Sequence, residues 1–156
     1  MKIDRAVLED AETILQLQKR AYLSEAKIYN DYGIPPLTQT QEEINQDFLQ
    51  QVFLKAVEDG DIIGSVRAYL EKGTVFIGRL IVEPEHQNQG IGTMLIQSIE
   101  KYFTTATTAA DRYELFTGHK SFRNLYLYQK LGYRQFKRMP VNSSLIMVFL
   151  EKYVVW

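Results

Sequence analysis

Gln87, Gly90 and Gly92 lie in a short polar stretch between an apolar run that ends at Pro84 and an amphipathic helical pattern that opens at Gly90. Glycines at a helix start leave main-chain N–H groups bare. Bare N–H groups at the positive end of a helix dipole form an anion site that a phosphate can approach closely. Two such glycines lower helix stability, so a packing role alone is a poor explanation for them. A second candidate is Tyr128, which sits on a helical pattern closed by Gly132 and Tyr133. A phenol placed beside a departing anion can act as a general acid. On residue type alone, packing on an amphipathic helix is the favoured role. There are no cysteines, and His86 and His119 are the only histidines. Disulfides, thiol nucleophiles, thiolate metal sites and multi-histidine metal sites are therefore excluded, and no metal is expected.

Two familiar glycine motifs fail here. Gly73 and Gly78 have the spacing of a nucleotide-binding P-loop, but Arg79 and Leu80 follow where Lys and Ser or Thr are required, and the segment reads as strand. Gly90-Ile91-Gly92-Thr93-Met94-Leu95 lacks the third glycine of a dinucleotide fingerprint and follows an antiparallel pattern instead of opening a βαβ unit.

The elements that must position these residues follow from periodicity. Ile3–Val7 reads as a first strand. Asp10 looks like an N-cap for a helix with Ala11, Ile14, Leu15, Gln18 and Tyr22 on one face, running to about Ser24. Residues 30–39 hold Gly33, Pro35 and Pro36 and read as loop. Thr40-Gln41-Glu42-Glu43 is a capping box that starts a second helix through about Gln50. The period then changes to two. Phe53–Val57, a strand from Ile62 and Thr74–Val82 form a meander turned at Asp59-Gly60 and Lys72-Gly73. The Gly90–Phe103 helix, a Thr104–Ala110 linker, and a Tyr113–Thr117 strand parallel to the third meander strand come next. A Ser121–Leu131 helix and a closing pair, Tyr133–Arg138 with Leu145–Tyr153, complete the chain. The order is β-α-α-β-β-β-α-β-α-β-β, a single α+β domain over 1–156 with a mixed, mostly antiparallel sheet and helices on both faces.

At 156 residues, 46% hydrophobic and 24% charged, the chain has a globular composition. No apolar run spans a bilayer and the N-terminus does not read as a signal peptide, so a cytoplasmic location and no membrane partner are expected. The net charge of −1 gives nucleic-acid binding no support. Residues 1–61 carry 12 acids and 6 bases, while residues 62–156 carry 7 acids and 12 bases. That split suits an anionic ligand on the C-terminal half and a cationic one on the N-terminal half, although solvated faces produce such splits as well. The apolar strand Leu145–Trp156 fits the core; pairing across a homodimer is its other reading.

Gln87-x-x-Gly90-x-Gly92 after Val82-x-Pro84 resembles the pyrophosphate signature of the GCN5-related N-acetyltransferase (GNAT) superfamily. Ser121-x-x-Asn124-x-x-Leu127-Tyr128-x-x-x-Gly132-Tyr133 is similar to that family's second helix motif, and the element order also matches. The resemblance implies acetyl-CoA in a gap between strands 74–82 and 112–117. Main-chain groups of Leu80, Ile81 and Val82 would take the pantetheine arm, with an N–H near Val82 polarising the thioester carbonyl. Gln87, Asn88, Gln89, Gly90, Ile91, Gly92 and Thr93 would hold the pyrophosphate. Asn124, or Ser121 one turn earlier, would contact the cofactor, and Lys120, Arg123 and Lys130 could meet its phosphates. Tyr128 would be the acid. Tyr29 and Tyr32, near Asp31, Pro35 and Pro36, would line the pocket of a small-molecule amine, a cationic one by the charge split. No general base stands out among Glu83, Glu114, His86 and His119, and ordered water can serve. The implied activity is acetyl transfer to a primary amine by direct attack on the thioester. A non-catalytic acyl-CoA-binding or sensing module and a protein or peptide N-acetyltransferase are the alternatives.

Overall fold

Alternating apolar side chains on the meander strands bury one set of residues on each face of a sheet. In a computed structural model, which describes residues 1–156, Leu54 and Ala56 enter one buried cluster and Phe53 the other. The elements are β1 (Lys2–Arg5), α1 (Ala11–Ala21), α2 (Leu23–Tyr29), α3 (Pro35–Thr38), α4 (Gln41–Gln50), β2 (Val52–Glu58), β3 (Asp61–Glu71), β4 (Thr74–Val82), α5 (Ile91–Ala106), β5 (Arg112–Gly118), α6 (Phe122–Lys130), β6 (Arg134–Pro140) and β7 (Ile146–Tyr153). The seven strands form one sheet in the order β1-β2-β3-β4-β5-β7-β6. Every neighbouring pair is antiparallel except β4 and β5. β7 is thus interior to the sheet, between β5 and β6. No helix is long and apolar enough to cross a membrane.

The larger cluster lies under α5, whose Ile91, Leu95, Ile96, Ile99 and Phe103 are buried against the sheet, and it extends to Tyr128 and Tyr133. The smaller one joins α1 and α4 to the other face through Ile14, Leu17, Ile44 and Phe53. The capping box forms as expected: the Glu43 N–H donates to Thr40 Oγ1 at 3.1 Å and the Thr40 N–H to Glu43 Oε1 at 2.8 Å. Both hairpin turns have positive φ at their central residues, Asp59-Gly60 and Lys72-Gly73, which matches the twist of the flanking strands.

Four expectations need correction. The first helix does not run on to Ser24; it breaks at Tyr22 and restarts as α2, which ends on left-handed Asn30. The 30–39 loop contains α3, made possible by Pro35 and Pro36 in its first turn, where no N–H is needed. Asp10 does not cap α1 with its side chain. Its carboxylate instead accepts from the Val7 N–H at 2.9 Å across a turn of 3₁₀ helix. α5 continues to Ala106, which shortens the following linker.

Candidate active site

β4 and β5 are in register at only three positions, Thr74–Phe76 against Arg112–Glu114. Arg112 braces this seam, donating to Thr74 Oγ1 at 3.1 Å, to Glu114 at 2.9 Å and to Glu151. Beyond it the strands part. On the other side of β4, Arg67 pairs with Gly78 but Ser65 pairs with Ile81, so Arg79 and Leu80 together face Val66. This bulge puts Arg79 in the left-handed region at φ 47° and bends β4 away from β5. From Ile77 to Val82, β4 keeps one edge without a strand partner. A cleft of about 390 Å³ opens there, between the α1–α2 junction, the end of β4, the start of α5 and α6.

The Glu83 N–H bonds Ile63 O on β3, and the Val82 carbonyl accepts from Gln87 Nε2 on the cleft side at 3.3 Å. Successive peptide groups point to opposite edges of a strand, so the Val82 N–H also faces the cleft. Leu80, Ile81 and Val82 all line it.

Below this edge, α5 starts with Gly90 at φ 81°. No side chain caps that helix and no acid lies in its first turn, so the early N–H groups keep their partial positive charge. A Cβ on Gly90 would meet nothing within 4 Å, which leaves open space over the cradle. Arg123 on α6 fixes the preceding loop, donating to Gln87 Oε1 at 2.7 Å and to Asn88 Oδ1 at 3.0 Å. Asn88 has φ 66°. Of the expected phosphate-binding residues, Gln87, Asn88, Gly90, Ile91, Gly92 and Thr93 line the cleft. Gln89 is exposed and does not. Arg123 and Lys130 line it too. A long uncapped helix, an open αL glycine and nearby cations fit a diphosphate.

The opposite wall is a hydrogen-bonded chain. The Lys120 N–H donates to the Tyr29 hydroxyl at 3.0 Å, which meets Ser121 Oγ at 2.8 Å, and Ser121 donates to Glu25 Oε2 at 2.5 Å. Asn124 Nδ2 donates to Thr117 Oγ1 at 3.2 Å and reaches Glu25 Oε1 at 3.5 Å. Ser121 and Asn124 thus both border the cleft and both touch Glu25, which sequence reasoning missed. A lone glutamate on a short helix carries no periodic signal.

Tyr29 does not line the cleft. It is buried and clamps α2 to the end of β5, and burial raises its pKa. Gly118 makes the clamp possible, because a Cβ there would lie 2.0 Å from the Tyr29 hydroxyl. Gly118→Ala is therefore expected to destabilise the protein by about 3 kcal/mol in urea denaturation, as overpacking against a fixed ring does. Tyr32 is exposed and also lies outside the cleft lining. Tyr22, whose place in the apolar stripe of α1 marks it for the core, packs against the smaller core cluster and also lines the cleft at the helix break.

Tyr128 is buried in the larger core, is not among the residues that line the cleft, and packs near Tyr133, with ring centroids 6.2 Å apart. Burial pushes its pKa up, and the Tyr22 and Glu25 charges push it further in the same direction. The phenol is thus within electrostatic reach of two lining residues and is held in its proton-donating form. Of the four candidate bases, His86 lines the cleft, with Nε2 3.4 Å from Glu58 and Nδ1 buried without a partner, and the other three are engaged elsewhere. Arg20 grips Glu83 through bonds of 3.1 and 2.7 Å and lowers its pKa. Glu114 pairs with Arg112 at the seam, and His119 Nδ1 accepts from the Ile146 N–H at 3.0 Å.

Residues 11–133 match the model of the acetyltransferase (GNAT) family. A curated relative, the UPF0157 protein YqkA of Bacillus subtilis (strain 168), is 24% identical over 143 residues, which is 92% of this chain. The chain spans 40% of that relative's length. The PaiA N-acetyltransferase of Thermoplasma acidophilum, solved in complex with coenzyme A, superposes with a TM-score of 0.79 at 18% identity, covering 99% of this chain and 100% of that one. YncA of Salmonella typhimurium, a structure that holds acetyl-CoA, gives 0.75 at 19% identity over 98% of this chain and 93% of that one.

Proposed function

This chain belongs to the acetyltransferase (GNAT) family, and on that premise we propose that it moves an acetyl group from acetyl-CoA to a primary amine. The observation that carries the reading is the free edge of β4 running straight into the uncapped start of α5. Acetyl-CoA supplies an acetyl group activated as a thioester. The edge at Leu80–Val82 offers main-chain groups to the amides of the pantetheine arm. The N–H groups from Gly90 to Thr93 receive the diphosphate, with Arg123 and Lys130 adding charge. The cleft-facing Val82 N–H is positioned to polarise the reacting carbonyl. Tyr128 donates a proton to the departing sulfur. The acceptor ammonium loses its proton through water.

The test is thiol release from acetyl-CoA over a broad amine panel, with the acetylated product identified by mass. Coenzyme A is expected to raise the melting temperature, because it binds the native state. A rise in melting temperature with no thiol release from any amine favours a sensing module. No rise at saturating coenzyme A removes the cofactor site itself.

A further inference from the structure

Ala21, Tyr22, Glu25 and Ile28 recur every three or four residues across the α1–α2 junction, and all four line the cleft. Residues at that spacing share one face of a helix. The face is apolar or aromatic apart from Glu25 and the neighbouring Ser24. Glu25 is the one carboxylate in the cleft lining, and it is half-buried.

The carboxylate is held from behind. An ionised carboxylate only accepts, so Ser121 Oγ gives its hydrogen to Glu25 Oε2 at 2.5 Å. Ser121 in turn accepts from the Tyr29 hydroxyl at 2.8 Å, and Tyr29 accepts from the Lys120 N–H at 3.0 Å. Every donor in this chain points toward Glu25 and fixes Oε2. Oε1 receives only Asn124 Nδ2 at 3.5 Å, beyond the usual length of an N–H···O bond, while Asn124 makes its shorter bond to Thr117 Oγ1. No Lys, Arg or His pairs with Glu25. The cations nearby are placed otherwise. Lys27, on the same helix, is exposed and outside the lining. Arg20 is held by Glu83, and His86 stands beside Glu58. Arg123 is bonded to Gln87 and Asn88 in the loop before α5, and Lys130 stands at the far end of α6 from Ser121.

We propose that Glu25 binds the ammonium of the acceptor through Oε1, and that the acceptor is a monoamine whose apolar body lies along Tyr22 and Ile28. The proposal rests on the transferase reading above. A half-buried carboxylate with one oxygen short of donors gains a charge-assisted bond from an ammonium. Because the side chain is already fixed, little conformational freedom is lost when that bond forms. A polyamine or aminoglycoside would leave its further ammonium groups without a carboxylate in the lining, where Arg123 and Lys130 already stand.

The experiment takes the amines that release thiol from acetyl-CoA and compares each with the alcohol of the same skeleton, by calorimetric titration into the complex of the protein with coenzyme A. In the parent the amine is expected to bind about 30-fold more tightly than the alcohol, the scale of a charged hydrogen bond. Glu25→Gln is expected to reduce that ratio to less than about 3-fold and to lower kcat/KM for the amine by about 30-fold. Glutamine still accepts from Ser121, so the melting temperature and the coenzyme A affinity should match the parent, and Glu25→Asp should recover part of the ratio. A role confined to tying α2 to α6 would weaken amine and alcohol alike and leave the ratio where it was. A ratio near one in the parent, or one that Glu25→Gln leaves unchanged, overturns the proposal and leaves the transferase reading standing. So does faster turnover of polyamines than of apolar monoamines. Release from no amine at all, with coenzyme A still bound, overturns both.

Discussion

Gly92→Ala is expected to weaken coenzyme A binding by about 100-fold while the free protein melts slightly higher than its parent. The added Cβ would meet Leu127 Cδ2 at 3.4 Å and Leu80 Cδ2 at 3.6 Å, both ordinary contacts, so nothing in the fold resists it. Alanine is the better helix former by about 0.5–1 kcal/mol, which is about 2–4 °C for a domain of this size. The same methyl group would take up cleft space beside Leu80 and Leu127, and a diphosphate held off the main chain loses several charge-assisted bonds together. Gly90→Ala differs in its effect on the fold. Its Cβ lies in open space, but φ is 81°, so it costs about 1 kcal/mol of stability through backbone strain. Calorimetric titration with coenzyme A and scanning calorimetry on both variants decide the matter. Parental affinity in Gly92→Ala would place the diphosphate elsewhere.

Tyr128→Phe is expected to lower kcat by about 100-fold, at the low end of what general acids contribute, with the KM for acetyl-CoA and the melting temperature nearly unchanged. The ring stays in its packing place and only the proton donor is lost. The pH profile gives an independent check. The folded phenol is harder to ionise than a free one, so its donor form persists through neutral and mildly alkaline pH. No loss of rate from this group is expected between pH ~7 and ~9.5. The sign of the stability linkage follows: a raised folded pKa gives stabilisation that is complete below about pH 10, the unfolded value, and is lost as pH climbs above it. A phenylalanine variant that matches its parent on every active acceptor would leave Tyr128 as a packing residue.

The strands and the uncapped, glycine-opened start of α5 were legible because local rules govern them. The period of two, the turns at Asp59-Gly60 and Lys72-Gly73, and the glycines at a helix start act within a few residues of each other. The C-terminal strand was likewise readable as core from its apolar run: Leu145, Val148 and Leu150 are buried and β7 lies inside the sheet, although Tyr153, Val155 and Trp156 are exposed. The α1–α2 wall of the cleft was not legible, because it depends on long-range contacts. Tyr22 falls on an apolar stripe and packs on the core as that stripe implies, but only the break in the helix brings it to the cleft as well. Tyr29 looks like a free aromatic until Gly118, Lys120 and Ser121 close around its hydroxyl. Arg67 sits at a strand position flanked by apolar residues, and nothing within its neighbourhood in sequence announces that Gln18, Gln39 and Asp47 will gather on it. Glu25 acquires its surroundings from residues nearly a hundred positions away.

The seam between β4 and β5 also has a mechanical meaning. Along the strands themselves, three rungs and Arg112 join β1–β4 to β5–β7–β6, the shortest strand-to-strand join in the sheet, while the larger core spans both blocks. A long, thin guest seated past that join fills the gap without displacing a rung. A wedge that fills the gap would also lock the joint, making the laden molecule stiffer than the empty one.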